Sequence, residues 1–501
     1  SGDWSSDVCS SDLKTATEMK KATESKLLEK AQKEFYSVVN TFILPLCDPR
    51  GTLKLENRPE KNSSLVSFYY DQNKISCLRF FPCVSTNNHV TPFYLEIKTY
   101  SSKSIVKRLN VILRELLKVM EYNCFDGKIR KQRDYGKSKR RCTSYKLKTL
   151  QLAFELGMCS WVAPNNGALI LHSILCRMEE WAARTYEGKR VPFGFVVDFG
   201  AEADKNAASY LHFLSNDSSA VFTDGVFSGI KLDRNGKILS FITRNTPVKA
   251  VQTTQEMFVP HQFSDIGQHC FGKAIGVIVL TNGEILLVKQ CAICFAKRGT
   301  KWVSFDWDRV YSKLLPYFLM GADDLITAQK KIKIIYKTLL DVSFSHVGGC
   351  LAFVRPDVSD TDISKIIKDR LDLAGIGELP AGVSAESKEK IAVLRYLLSD
   401  NNFFEIEAPL RKEILSLDGA TVVSPDGSFY CAGSIVSVPG GSSHGGRTAA
   451  AKRLAALGVG IKISEDGYIE AYGSFNNAQN HASKACEAGN SDRLTILFKI
   501  R

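Results

Sequence analysis

The chain has 501 residues, 44% of them apolar and 24% charged. That balance argues against a disordered, collagen-like or membrane-embedded chain and leaves room for two to four packed domains. Its net charge of +13 suits anionic partners (nucleotides, nucleic acid, acidic lipid surfaces) without selecting among them.

No apolar run has the length that spans a bilayer, and no basic start followed by an apolar stretch marks a secretory signal. The expected compartment is therefore the cytoplasm, with no membrane partner. Residues 1–13, SGDWSSDVCSSDL, are rich in Ser and Asp and low in complexity, and read as a non-native leader. Residues 14–185 read as an α+β region. A helix is expected from about Lys14 to Leu46, then short strands in SLVSFYY, ISCLRFFPCV and FYLEIKTY. A second helix follows, with an apolar stripe through Ile105, Leu109, Ile112, Leu113, Leu116 and Met120. The basic excess gathers between Gly127 and Lys148, where Tyr135 and Tyr145 interleave with Lys and Arg. It reads first as a solvated loop between two helices and second as a patch for a nucleic-acid backbone. A third helix is expected from near Leu147.

Residues 186–320 read as β-rich. VPFGFVVDFG has the pattern of a buried strand, and Asn235-Gly236 and Asn282-Gly283 each sit between apolar runs, the usual signature of a type I′ hairpin turn. The two hairpin sequences, SGIKLDRNGKILSF and IGVIVLTNGEILLV, echo each other. Among fourteen scattered cysteines the close pair is Cys291 and Cys294. His269 and Cys270 upstream would make up the four ligands of a zinc site, but buried reduced thiols are the preferred reading.

Residues 321–501 alternate helices and strands: LITAQKKIKIIYKTLLDVSFS, then the strand VGGCLAFV, the helices KEKIAVLRYLLS and APLRKEILS, and a last strand in LTILFKI. The expected fold class is α/β, a mixed central sheet flanked by helices, preceded by the α+β and β-rich regions. Chemistry concentrates between Asp418 and Gly473. Gly419 permits a sharp turn between a helix and the strand TVVS. PGGSSHGG is a loop rich in backbone N–H groups, and Arg447 follows at the first turn of a helix. A glycine-headed helix N-terminus attracts an anion through its unpaired N–H groups and dipole. Arg447 adds a two-pronged phosphate donor, and Asp418 offers a carboxylate to a divalent cation.

Three motifs in this order resemble the diadenylate cyclase (DAC) domain of the DNA-integrity-scanning diadenylate cyclases. Asp418-Gly419-Ala420 matches the family's DGA. GGRTAAA, Gly445 to Ala451, falls where the family carries an Arg-His-Arg helix start. ISEDG, Ile463 to Gly467, falls on its SEE strand end. The resemblance spans about Leu325 to Tyr472, and the β-rich region before it is similar to sensor-like regions of a related bacterial group. It implies a site in which Asp418 binds Mg²⁺ or Mn²⁺ and activates a 3′-hydroxyl. Gly419, Ala420, Gly445, Gly446 and Thr448 would line the nucleotide, Arg447 would hold phosphates, and Glu465 would take the place of the SEE glutamate.

The implied ligand is an adenine nucleotide or cyclic dinucleotide. In the family two such domains meet face to face, which makes a homo-oligomer an expectation here too. The family's His falls on Thr448 and its second Arg on Ala449, and a missing donor to a reacting phosphate costs several kcal/mol. His444, three residues before Arg447, is either a substitute phosphate contact or an ordinary loop histidine. Three readings follow. The first is a nucleotide sensor with weak or no cyclase activity. The second is an active cyclase that condenses two ATP to cyclic di-AMP. The third is a nucleic-acid-binding protein that uses the basic run.

Overall fold

The computed structural model describes residues 52–56, 66–70, 76–80, 83–86, 89–92, 94–99, 108–113, 115–116, 139–164, 167–185, 188–210, 223–247, 256–320, 324–367, 385–398, 401–438, 445–473 and 495–500. The leader, the helix expected from Lys14 to Leu46, the basic residues 127–138 and His444 lie outside them. The chain forms two compact units, Ser1–Ser173 and Ile174–Arg501. Among the described residues no helix is long and apolar enough to cross a membrane.

The first unit carries β1 (Thr52–Glu56), β2 (Val66–Tyr70), β3 (Ser76–Phe80), β4 (Cys83–Thr86), β5 (His89–Pro92) and β6 (Tyr94–Thr99). They form a four-stranded antiparallel sheet in the order β1-β6-β3-β2 and a separate β4-β5 hairpin. In the helix that follows, Leu109, Ile112, Leu113 and Leu116 are fully or nearly fully buried, as their 3.6-residue spacing requires. Helix α1 (Lys139–Val162) begins at Lys139 rather than near Leu147. Lys139 to Lys148 is therefore helical and not loop, since Lys and Arg are good helix formers.

Helix α2 (Ala168–Ala182) follows, and its Trp181 packs on Phe193 at a ring separation of 5.0 Å. The second unit then lays down β7 (Phe193–Asp198), β8 (Ser228–Asp233), β9 (Ile238–Thr243), β10 (Ala274–Val279), β11 (Ile285–Lys289), β12 (Ala292–Arg298) and β13 (Lys301–Ser304). The sheet order is β13-β12-β11-β10-β7-β8-β9, antiparallel except for the parallel β7–β8 pair. Both Asn-Gly hairpins form, but in each turn the glycine takes positive φ and the asparagine does not. They are therefore not type I′, which needs positive φ at both residues. Cys270, Cys291 and Cys294 are buried free thiols.

The last elements are α3 (Trp307–Leu319), α4 (Leu325–Ser345), β14 (Gly349–Val354), α5 (Asp360–Ile366), α6 (Ala385–Leu398), α7 (Ala408–Leu415), β15 (Ala420–Val423), β16 (Phe429–Ser434), α8 (Gly446–Leu454), β17 (Gly458–Ile463), β18 (Ile469–Gly473) and β19 (Thr495–Ile500). The second sheet is six-stranded, β16-β15-β14-β17-β18-β19, with β14 and β15 parallel and the other pairs antiparallel. The architecture is α/β, with mixed sheets flanked by helices.

Burial follows the strand period of two. Leu351 and Phe353 of β14, Val423 of β15 and Ile461 of β17 face a core they share with α4, α7 and the seven-stranded sheet. Cys350, Ala352 and Val354 of β14 and Val422 of β15 face the other way, onto α5 and α8. Helix α4 starts on an Asp324 N-cap that accepts the Thr327 N–H at 2.8 Å. It ends in His346, which takes the left-handed conformation at φ 55°, a position usually given to Gly or Asn.

Candidate functional site

The start of the parallel pair β14–β15 is where the sequence motifs converge. Helix α7 ends at Leu415, and Leu417-Asp418-Gly419 turns the chain into β15. Gly419 has φ +112°, and a Cβ there would lie 2.5 Å from Gly433 C and 2.6 Å from Ser434 O. Both the torsion and the close backbone approach exclude a side chain. Ala420, paired with Ser434, buries its methyl completely, so only its backbone could meet a ligand. Asp418 is exposed at the sheet edge.

The strand pairings Leu351 with Thr421 and Gly349 with Ile463 fix the rest of this edge. They set the starts of β14 and β15 and the β17–β18 turn at one end of the sheet. Glu465 and Arg447 meet on that turn: Arg447 Nη1 donates to Glu465 Oε1 at 2.8 Å. The Arg447 side chain is 34% exposed and that of Glu465 70% exposed. An ion pair this open contributes about 0–1 kcal/mol, so an incoming anion displaces it at small cost. Gly348 makes room for the guanidinium; a Cβ there would sit 2.7 Å from Arg447 Nη1.

Helix α8 opens on Gly445, with φ 80° and no side-chain cap. The Ala449 N–H makes the helix's first backbone bond, to Gly445 C=O at 3.2 Å, which leaves the N–H groups of Gly446, Arg447 and Thr448 without an intrahelical acceptor. Gly445 and Gly446 are exposed and Arg447 is half-buried. Thr448 is buried, whereas Ala449 is only partly covered. The position of the family's histidine thus points into the protein.

Asp418 is one exposed carboxylate, and among the described residues no three His, Cys, Asp or Glu side chains gather to hold a metal ion. That donor set fits Mg²⁺ or Mn²⁺ only as a partner of nucleotide phosphates, the usual arrangement for a cation that keeps most of its waters. The zinc set of His269, Cys270, Cys291 and Cys294 likewise does not assemble as a metal-binding group.

A second group of residues, which no sequence motif marks, adjoins the site. His346 Nδ1–H donates to the backbone C=O of Glu465 at 2.8 Å. Its Nε2 lies 2.7 Å from Asn282 Nδ2 and 3.3 Å from Glu284 Oε2. Glu284 is buried and pairs with Arg298 Nε at 3.2 Å. Arg298 donates to Ser343 Oγ at 2.8 Å and to the C=O of Gly467, and its guanidinium lies 4.7 Å over the Phe344 ring. The Glu284 carboxylate beside Nε2 holds the His346 imidazole above its ordinary pKa, against the opposing effect of burial.

No family model, curated protein or solved structure matches the chain.

Proposed function

We propose that the C-terminal part of the chain is a DAC-like nucleotide-binding module that senses an adenine nucleotide or cyclic dinucleotide, with weak or no cyclase activity. The observation that carries this reading is Arg447. It stands at the glycine-headed start of α8, and its guanidinium is held at an open sheet edge by an ion pair that an anion can replace. Asp418 shares that edge and is the residue that would hold Mg²⁺ or Mn²⁺ alongside nucleotide phosphates. The cation would supply charge neutralisation to those phosphates.

Sensing is favoured over turnover because two phosphate donors of the family pattern are replaced by Thr448 and Ala449. The buried Thr448 hydroxyl cannot reach outward as an imidazole would. Calorimetry with ATP and with cyclic di-AMP, each with Mn²⁺, tests the reading. Binding is expected in the wild type, and Arg447→Ala is expected to weaken it by about 1–3 kcal/mol, the cost of a lost charged hydrogen bond. Unchanged affinity in the variant overturns the placement. Cyclic di-AMP accumulation from ATP that is abolished by Asp418→Asn would establish the cyclase instead. Binding of nucleic acid that weakens steeply with salt and survives Asp418→Asn would favour the basic run.

A further inference from the structure

His346 connects two turns that are far apart in sequence and adjacent in space. On one side it holds the Glu465 carbonyl; on the other it faces Asn282 and Glu284 in the β10–β11 turn. Two residues further on, Gly348 lies against Arg447. A Cβ there would be 2.7 Å from Arg447 Nη1 and 3.3 Å from Glu465 Cγ. The imidazole is thus a near neighbour of the guanidinium proposed to take an anion, without touching it.

Its hydrogen bonds define two states. Asn282 Oδ1 accepts the Glu284 backbone N–H at 3.0 Å, which turns Asn282 Nδ2–H toward His346 Nε2. An N–H donor at that distance requires a lone pair on Nε2, so this geometry belongs to the neutral ring with its proton on Nδ1. Glu284 Oε2 is buried and has no hydrogen-bond partner among the described residues. A buried carboxylate oxygen left in this way is an acceptor awaiting a donor. Protonating Nε2 supplies that donor, moves the ring's partner from Asn282 to Glu284, and leaves the Nδ1–H bond to Glu465 in place. The first state gives a neutral link; the second gives a cation clamped between both turns.

We propose that His346 is a positioning residue for the Arg447 anion site, and that anion occupancy there is linked to which of the two partners, Asn282 or Glu284, His346 engages. The proposal rests on the anion-binding reading of Arg447. The charged groups around the imidazole come from every element packed on it. Glu284 lies in the β10–β11 turn and Arg298 at the end of β12. Arg190 donates to the Asn282 carbonyl. Glu465 and Asp466 lie in the β17–β18 turn, and Arg447 in α8. Glu284 favours the imidazolium and Arg298 opposes it. A positive ring close to Arg447 strengthens the local attraction for an anion, and holding the Glu465 backbone fixes the turn whose side chain the anion must displace. Linkage then requires anion affinity to fall as pH rises through the titration of His346.

Sulfate is a suitable probe because its charge does not change between pH 6 and 8.5. Its binding can be followed through the amide signals of Gly446, Arg447 and Thr448 in the full chain. In the wild type the sulfate Kd is expected to rise about three- to tenfold from pH 6 to pH 8.5, the range a nearby unit charge produces near a protein surface, with a midpoint above that of a free histidine. His346→Asn, which tolerates left-handed backbone, should bind sulfate with no such step. Glu284→Gln should keep the step but move its midpoint lower, because the carboxylate that retains the proton is gone; a merely structural role for His346 would not produce that shift. Sulfate binding that is flat in the wild type, a step that persists in His346→Asn, or an unmoved midpoint in Glu284→Gln each overturns the proposal while leaving Arg447 as an anion site. Absence of sulfate binding at every pH overturns the Arg447 reading and this inference together.

Discussion

The chain builds the same hairpin turn twice and uses it in two ways. Between β8 and β9, Gly236 N–H donates to Asp233 C=O at 3.1 Å, and Asp233 N–H donates to Lys237 C=O at 2.8 Å. Between β10 and β11, Gly283 N–H donates to Leu280 C=O at 2.8 Å, and Leu280 N–H donates to Glu284 C=O at 2.8 Å. In both the glycine takes positive φ, 75° and 87°. The first turn is anchored by its own aspartate: the Asp233 carboxylate accepts the N–H groups of Asn235 and Lys237, each at 2.8 Å, and that of Ala203 at 3.1 Å. The second has leucine in place of that aspartate and turns its polar groups outward, to His346 and Arg298. The Asn-Gly pattern determines the backbone path. What the turn's side chains do is determined by the elements that pack against it.

That contrast can be broken at several points. The largest effect is expected from Glu284→Ala, which leaves the buried Arg298 charge without its carboxylate and should cost about 3–5 kcal/mol in urea unfolding. The matching change in the first turn, Lys237→Ala, should cost less than about 1 kcal/mol, because Lys237 is only half-buried and carries no buried counter-charge. Equal losses would mean that the Glu284–Arg298 pair adds nothing to the second turn.

Asp233→Ala comes next. It removes the acceptor of three backbone N–H groups and should cost about 1–3 kcal/mol, while Leu280 has no comparable polar role to lose. Replacing the glycines separates the turns again. A Cβ on Gly236 would lie 2.6 Å from the Tyr210 ring, whereas one on Gly283 would first meet the flexible end of Arg190 at 3.0 Å. Both variants carry the left-handed penalty of about 1–2 kcal/mol, so Gly236→Ala should melt lower than Gly283→Ala by calorimetry. The reverse order would show that the Arg190 contact is the rigid one.

The smallest effect concerns pH. The His346 pKa is raised in the folded chain. Its contribution to stability is therefore complete below the unfolded value near 6.5 and is lost as pH rises through the folded value above it. Relative to His346→Asn, the wild type should lose stability as pH rises from about 5.5 to 8.5. Identical pH profiles for the two proteins would remove the second turn's distinguishing feature.

Much of this fold was legible because its long elements carry their period openly. Helix α4 falls on LITAQKKIKIIYKTLLDVSFS and strand β14 within VGGCLAFV, and Gly445-Gly446-Arg447 does open a helix. The contact of Arg447 with Glu465 crosses eighteen residues and was not foreseen from the motifs. The His346 network was not legible, because its partners Asn282 and Glu465 lie 64 and 119 residues away in sequence. No local pattern encodes such pairings. The burial of Thr448 was equally hidden, since α8 has nine residues and too few turns to display a face. The glycine-only positive φ of the Asn-Gly turns escaped for a third reason: the dipeptide serves more than one turn type.

Helix α4 places apolar side chains in a core to which both sheets of the second unit contribute. Neither sheet can expose its face to water without uncovering the other, so the two should lose structure in one cooperative transition. A ligand held at the start of α8 would then slow hydrogen exchange not only in β14 and β17 but also in β10, β11 and β12, which it never touches. Exchange protection on the seven-stranded sheet is thus a reporter of occupancy at the opposite sheet's edge.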